Sequence, residues 1–433
     1  MAILPQVART LQALLGPDAG AAAAPHALIR RRRKFTAESL LATFVLGYLR
    51  QPDARDADLA ATAAQLGVAV SPQAVAKRVR PELRDALHDL LQTAVGRVVA
   101  AEPRALPLVQ SFAAVLVGDS SSIALAPALA GTYPGCGGDA GPAALKLQVQ
   151  WDLLGGGLVV ALEAGRCPDS AAAMLDTPIA PGSLVLRDLG YFNLDRFAAF
   201  ATAGIFWISR ALTQLRLHVD EADHDLVDWL TRQTADRIDR PVAVGQTRLA
   251  CRLVAFRLPP AVAAKRRAAA TKAALKRGGA PSARRLAACD WATYLTNLPA
   301  REFDADTLHT LYRVRWQIEL LFKLWKSHHH LDRHRSTDPV KQLVELYARL
   351  IAVVVQHWLV LAGGWHLPRL SFVKAARRIR EHLPVVIMAL PAKAALCRAL
   401  HALTVLLARC QLNTRRKHPG TVQTLQSKAI TQS

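Results

Sequence analysis

The chain has 433 residues, 52% of them hydrophobic, enough apolar matter for two or three folded units and too much for a disordered tail protein. Its 55 Lys and Arg against 33 Asp and Glu leave a net charge of +22, an excess that a small-molecule enzyme has no use for and a polyanionic partner explains. The cations run the whole length and form neither one amphipathic helix nor a juxtamembrane block, so nucleic acid is favoured over a membrane surface.

Six widely spaced cysteines and the absence of a basic-then-apolar leader point to a reducing, cytoplasmic and nucleoid-associated setting. The most apolar stretch, Leu350 to Ala362, contains Gln356 and His357 and is too short to span a bilayer, so a buried helix and no membrane partner are expected.

Residues 1–104 read as a basic helical region. Arg30 to Lys34 is an unbroken run of five cations, followed by an apolar stretch from Leu40 to Leu49. Leu59 to Val79 has the grammar of a helix-turn-helix, with small Ala63, a turn at Gly67 and a second helix opening at Ser71-Pro72. Ser as N-cap with Pro at the first helical position is a sound helix start. On that reading Gln73, Lys77 and Arg78 face a DNA groove; an ordinary helical hairpin is the alternative.

From 105 to 210 the pattern changes to short strands. Ala114 to Asp119 is an apolar run ending in an acid, and Leu145 to Asp152 alternates strictly. Gly155 to Gly157 turns the chain into Leu158 to Leu162, making a hairpin. A short helix leads to Ser183 to Asp188, again apolar and ending in an acid; a helix over 194–203 and a strand over 205–209 follow. This is the element order of a ribonuclease-H-like α/β core with a mixed sheet. Residues 211–300 interrupt it with a mostly β, basic insertion, in which eight Lys or Arg and no acid lie between Lys265 and Arg285. Phosphate contact is expected there, with a solvated, partly mobile loop as the alternative. Residues 301–411 are helical and complete the core, and 412–433 form a tail expected to fray.

Tyr312, Arg315, Glu319 and Lys326 would share an arc of roughly 60° on one continuous helix, with Val314, Ile318, Leu321 and Trp325 burying the adjoining face. A salt-bridged amphipathic helix is the plain alternative. The spacing Tyr-x2-Arg-x3-Glu-x6-Lys resembles the signature of a large family of bacterial insertion-sequence transposases with a DDE catalytic triad. Thr296-Asn-Leu-Pro299, Asp188-Leu-Gly-Tyr-Phe192 and Gly118-Asp119-Ser-Ser-Ser122 are similar to that family's surrounding motifs.

The resemblance implies a catalytic, metal-binding triad of Asp119, Asp188 and Glu319, with Asp119 bridging two ions and each of the others holding one. In-line phosphodiester displacement uses two divalent ions about 3.5–4 Å apart, and hard Mg2+ or Mn2+ selects carboxylate oxygen. It also implies that Tyr312, Arg315 and Lys326 contact phosphates near the cut; Trp316 is available to stack on an unpaired base. The partners would be double-stranded element ends and target DNA, bound by a dimer. A catalytically silent DNA-binding descendant and a stand-alone nuclease of the same fold share these residues.

Other acids and histidines read as bystanders. Asp152 and Asp139 are expected at the surface. The loop Gly131 to Gly141 lacks the Gly-Lys-Ser/Thr ending of a phosphate-binding loop. His328 to His330 point three ways on a helix, which suits a helix end or a DNA contact better than zinc.

Overall fold

The structure, a computed structural model, describes residues 3–412 except 32, 98, 105, 139, 140 and 368. Asp139 and the tail from 413 lie outside the described residues.

The N-terminal region comprises α1 (Ile3–Ala13), α2 (Ala19–Ala23), α3 (Ala37–Arg50), α4 (Asp56–Gln65), α5 (Pro72–Ala76) and α6 (Pro81–Gly96). Thr36 and Ser39 close a capping box at the start of α3, and every residue from Leu40 to Leu49 is buried. The apolar stretch is therefore a core helix, solvated on no side. Gly67 turns between α4 and α5 with φ 81°, and the Ser71 hydroxyl caps α5. The second helix of the expected pair is only five residues long.

The core strands are β1 (Val115–Ala124), β2 (Ala144–Asp152), β3 (Leu158–Ala164), β4 (Leu184–Arg187) and β5 (Phe206–Arg210), with α7 (Leu194–Thr202) before β5. They lie in the order β3-β2-β1-β4-β5, the first three antiparallel and β4 and β5 parallel to β1. This is the ribonuclease-H-like core. Leu145, Leu147, Val149 and Trp151 are buried as their alternation requires.

The interruption contains β6 (Arg216–Val219), β7 (Ala222–Asp225), α8 (Leu226–Thr231), β8 (Arg237–Val244), β9 (Leu249–Arg257), α9 (Pro260–Leu275), α10 (Ala283–Ala287) and β10 (Trp291–Thr296). Because β10 pairs antiparallel with β5, these strands extend the core sheet to ten, ending -β5-β10-β9-β8-β6-β7. Much of the cationic stretch is helix rather than loop. Eight alanines among the 16 residues of α9 supply helix propensity that outweighs the repulsion among its cations.

The chain continues through α11 (Ala305–Arg313), α12 (Trp316–His329), α13 (Pro339–Gly363), α14 (Phe372–Ala389) and α15 (Lys393–Ala408). Helix α13 is long and apolar enough to cross a membrane, but its apolar window is wholly buried inside the protein. It packs against α3, α6 and α15, so the N-terminal region and the last helices share one core with the sheet.

Candidate active site

The sheet places the first two acids. β1 runs in parallel register with β4 as far as Gly118 opposite Arg187, and there β4 ends. Asp119 is the next residue on β1, still paired with Val149 of β2, while Asp188 leaves the sheet to precede a 3-10 turn over Leu189–Tyr191. The two acids thus follow adjacent positions on neighbouring parallel strands. Gly118 makes room for what lies below, since a Cβ there would meet the Arg187 side chain at 3.1 Å.

Glu319 sits in the first turn of α12, and Arg315 joins it to the sheet. The guanidinium Nη1 donates to Asp119 Oδ2 at 2.8 Å and Nη2 donates to Glu319 Oε1 at 2.7 Å. Burial pushes the Asp119 carboxyl above its usual range; the Ser120 amide and Arg315 oppose the shift, while Asp188 and Glu319 add to it. The Arg315 guanidinium is held more firmly charged than usual: its burial works against that, but Tyr312, Asp188, Asp119 and Glu319 outweigh it.

The helix carrying these groups is not continuous. Around residues 314 and 315 the amides bond three residues back, Val314 to Leu311 and Arg315 to Tyr312, and Gln317 and Ile318 do the same. This tighter winding separates α11 from α12 and breaks the single arc expected for four residues. Val314, Ile318, Leu321 and Trp325 are buried as expected. Tyr312 is also buried, packed on Tyr294 with ring centroids 5.0 Å apart, and its hydroxyl has no hydrogen-bond partner among the described residues. Burial pushes its pKa up to about 12. Trp316 is 55% exposed, and Lys326 lies further along α12, donating to Ser122 O at 3.1 Å.

Tyr312, Arg315 and Trp316 line a cavity of about 510 Å3 whose other walls include Arg210, Arg266 and His309. Arg210 and Arg266 were not singled out from sequence, since neither stands in a recognisable motif. Also unforeseen is a polar network around Tyr191, three residues after Asp188. Tyr191 donates to buried Gln148 on β2, Gln148 donates to Asp169 at 3.1 Å and Lys146 donates to Asp169 at 3.2 Å. The alternating polar face of β2 was the available signal.

A larger cavity, about 650 Å3, lies away from the acids between the described cations of residues 30–34 and α5. Arg30, Arg31, Arg33, Lys34, Lys77 and Arg78 are among its lining residues, and Glu82 meets Arg30 at 3.5 Å. Gln73 and Lys77 are exposed and Arg78 is half-buried.

Asp152 departs from its expected place at the surface. It is half-buried and accepts bonds from the amides of Leu154 and Gly155 in the tight turn after β2 and from the amide of Val115 at the start of β1. His330 ends α12 in the left-handed conformation, φ 51°, paired with Asp53 at 2.8 Å, and His329 is buried. Among the described residues no group of three or more His, Cys, Asp and Glu is gathered closely enough to hold a metal ion. At the three acids, the charge that a cation would supply is provided by Arg315. Their oxygen donors are nevertheless the set a hard divalent ion prefers.

The family model of the transposase DDE domain matches residues 110–355, more than half of the chain and all of the residues around Asp119, Asp188 and Glu319. Over 404 residues the chain is 26% identical to the transposase for insertion sequence element IS231C of Bacillus thuringiensis subsp. berliner, covering 84% of this chain and 82% of that protein. It is 26% identical over 274 residues to the transposase for IS1151 of Clostridium perfringens, 58% of each chain. A shorter match, 37% over 101 residues, links it to the putative transposase InsL for IS186A of Escherichia coli (strain K12), covering 23% of this chain and 27% of that protein. With this core and this match, the chain belongs to the DDE-domain family of insertion-sequence transposases.

Proposed function

We propose that this protein cuts DNA at the inverted-repeat ends of an insertion sequence and joins those ends to a target, using Asp119, Asp188 and Glu319. The observation that carries the reading is Arg315, whose guanidinium spans Asp119 and Glu319 and feels Asp188, so residues far apart in the chain act as one charged cluster. These acids would hold two Mg2+ or Mn2+ ions, whose chemistry is activation of the attacking oxygen and stabilisation of the leaving one.

The protein's own groups do the rest. Arg315 balances the acids and stands at the wall of the cationic cavity, where the same guanidinium can take a phosphate oxygen. Trp316 offers an exposed face for an unpaired base, and Tyr312 and Lys326 border the path of the strand. The groove between Arg30–Lys34 and α5 would hold the end itself, through phosphates and through base contacts from Gln73, Lys77 and Arg78. The protein would act on DNA in the cytoplasm, and synapsis of two ends calls for a dimer.

Single changes of Asp119, Asp188 or Glu319 to Ala test the assignment against end-bearing duplex with Mg2+. Cleavage should vanish while binding to the ends is kept, because the acids do not hold phosphate. Near-normal cleavage in any one variant refutes that residue's role.

A further inference from the structure

We propose that α9 grips the flanking duplex, the DNA outside the element end, on the far side of the cleavage point from the N-terminal groove. The proposal rests on the reading of that groove as the end-binding surface.

Helix α9 has almost no core face. Of its 16 residues only Ala263 is buried, and Val262 and Leu275 are exposed. It is moored on one side, where Arg266 donates to Trp291 O at 3.0 Å and Arg267 pairs with Asp290. At about 100° and 1.5 Å per residue, Lys265, Lys272 and Lys276 share an arc of about 40°, spaced about 10 and 6 Å along the axis. All three are exposed, and none makes an ion pair or hydrogen bond among the described residues. No acid occurs from 261 to 289. Like charges at Lys272 and Lys276, four residues apart, weaken a free helix, so the stripe does nothing for the fold. A row of uncompensated ammonium groups on a rigid, solvated rod suits a phosphate backbone.

Its position names the DNA. β10, which moors α9, lies two strands beyond β4 in the sheet. On the other side of the acids, α6 of the N-terminal region packs on β3, two strands from β1. The groove, which includes Arg80 and Glu82 at the start of α6, thus belongs to the elements on the β3 side of Asp119 and Asp188, and the stripe to those on the β10 side. A duplex whose terminal repeat lies in the groove and whose scissile phosphate reaches the acids continues toward α9 as flank.

The test compares two duplexes carrying the terminal repeat from the DNA bordering the gene, one ending flush at the repeat and one carrying about two further helical turns. Wild-type protein should bind the flanked duplex more tightly, with a log–log salt slope steeper by about 2–3. The triple change Lys265→Ala, Lys272→Ala and Lys276→Ala keeps helix propensity and should remove that increment while leaving the flush duplex unaffected. Equal weakening on both duplexes would place the stripe on the end itself, and an unchanged slope would make α9 a solvated helix; either overturns the proposal. The end-binding reading fails separately, if wild-type protein prefers the repeat no more than random duplex, or if Gln73→Ala with Lys77→Ala and Arg78→Ala leaves that preference intact.

Discussion

Asp119 illustrates how a carboxylate at the proposed site bears on stability. A carboxylate taken from water on β1 has its pKa raised, first by burial. A group whose folded pKa exceeds its unfolded value favours the fold below the unfolded pKa and loses that contribution as pH rises through the folded one. At neutral pH the charged Asp119 is therefore a cost, and Asp119→Asn should raise Tm by about 1–3 °C. The gain should shrink towards pH 4, about the ordinary carboxylate value, and cleavage should be lost throughout; thermal unfolding of both proteins across pH 4–8 checks the sign. A lower Tm at neutral pH would mean that the pair with Arg315 outweighs the burial. That pairing was not legible in the sequence. The motif names the residue types, but which carboxylate the guanidinium reaches depends on a strand 196 residues away. Asp152 was misread for a related reason, since its partners are backbone amides that no side-chain pattern reveals.

At the scale of elements, strands with clean alternation or an apolar run ending in an acid were readable, and so was their order. The weaker strands β6, β7 and β8 were not, because β6 and β7 have only four residues each and Asp, Arg and Pro interrupt β8. Charge obscured α9, whose alanines favour helix regardless of the cations between them. The tight turn between α11 and α12 was hidden because a shift from four-residue to three-residue bonding leaves no compositional mark. Buried charge in α13 is the other feature that periodicity does not anticipate. Arg349, 1% exposed, bonds Glu345 at 3.1 Å and donates to Pro52 O at 3.0 Å and Arg333 O at 2.7 Å. It thereby ties α13 to the loop after α3 and to the connection behind α12. Arg349→Ala would strand Glu345 and the carbonyls of Pro52, Arg333 and His330, the last at 3.3 Å, and should cost about 3–5 kcal/mol. Arg349→Met with Glu345→Leu should recover part of this. Urea midpoints of the two variants distinguish a clamp from a spectator, which would show no loss in the single change.

For the whole molecule, the charge excess and the ribonuclease-H-like core agree on a polyanionic substrate, and the structure divides the cations by task. Arg252, Arg267 and Arg284 are spent on internal carboxylates and Arg315 on the acids of the proposed site, whereas Arg31, Arg33 and Lys34 line one cavity and Arg210 and Arg266 another, where DNA would pass. Composition could announce the excess; only the fold could say which cations remain available. The central claim is that this cluster of acids both cuts and joins DNA, which separates a transposase from a nuclease of the same core. The most direct measurement is incubation of purified protein and Mg2+ with labelled duplex from the DNA bordering its own gene, together with a supercoiled plasmid as target. The account predicts cleavage at the repeat boundary and covalent appearance of label in the plasmid, both absent with Glu319→Ala. Cleavage without any transfer of label, or transfer that survives Glu319→Ala, would contradict it.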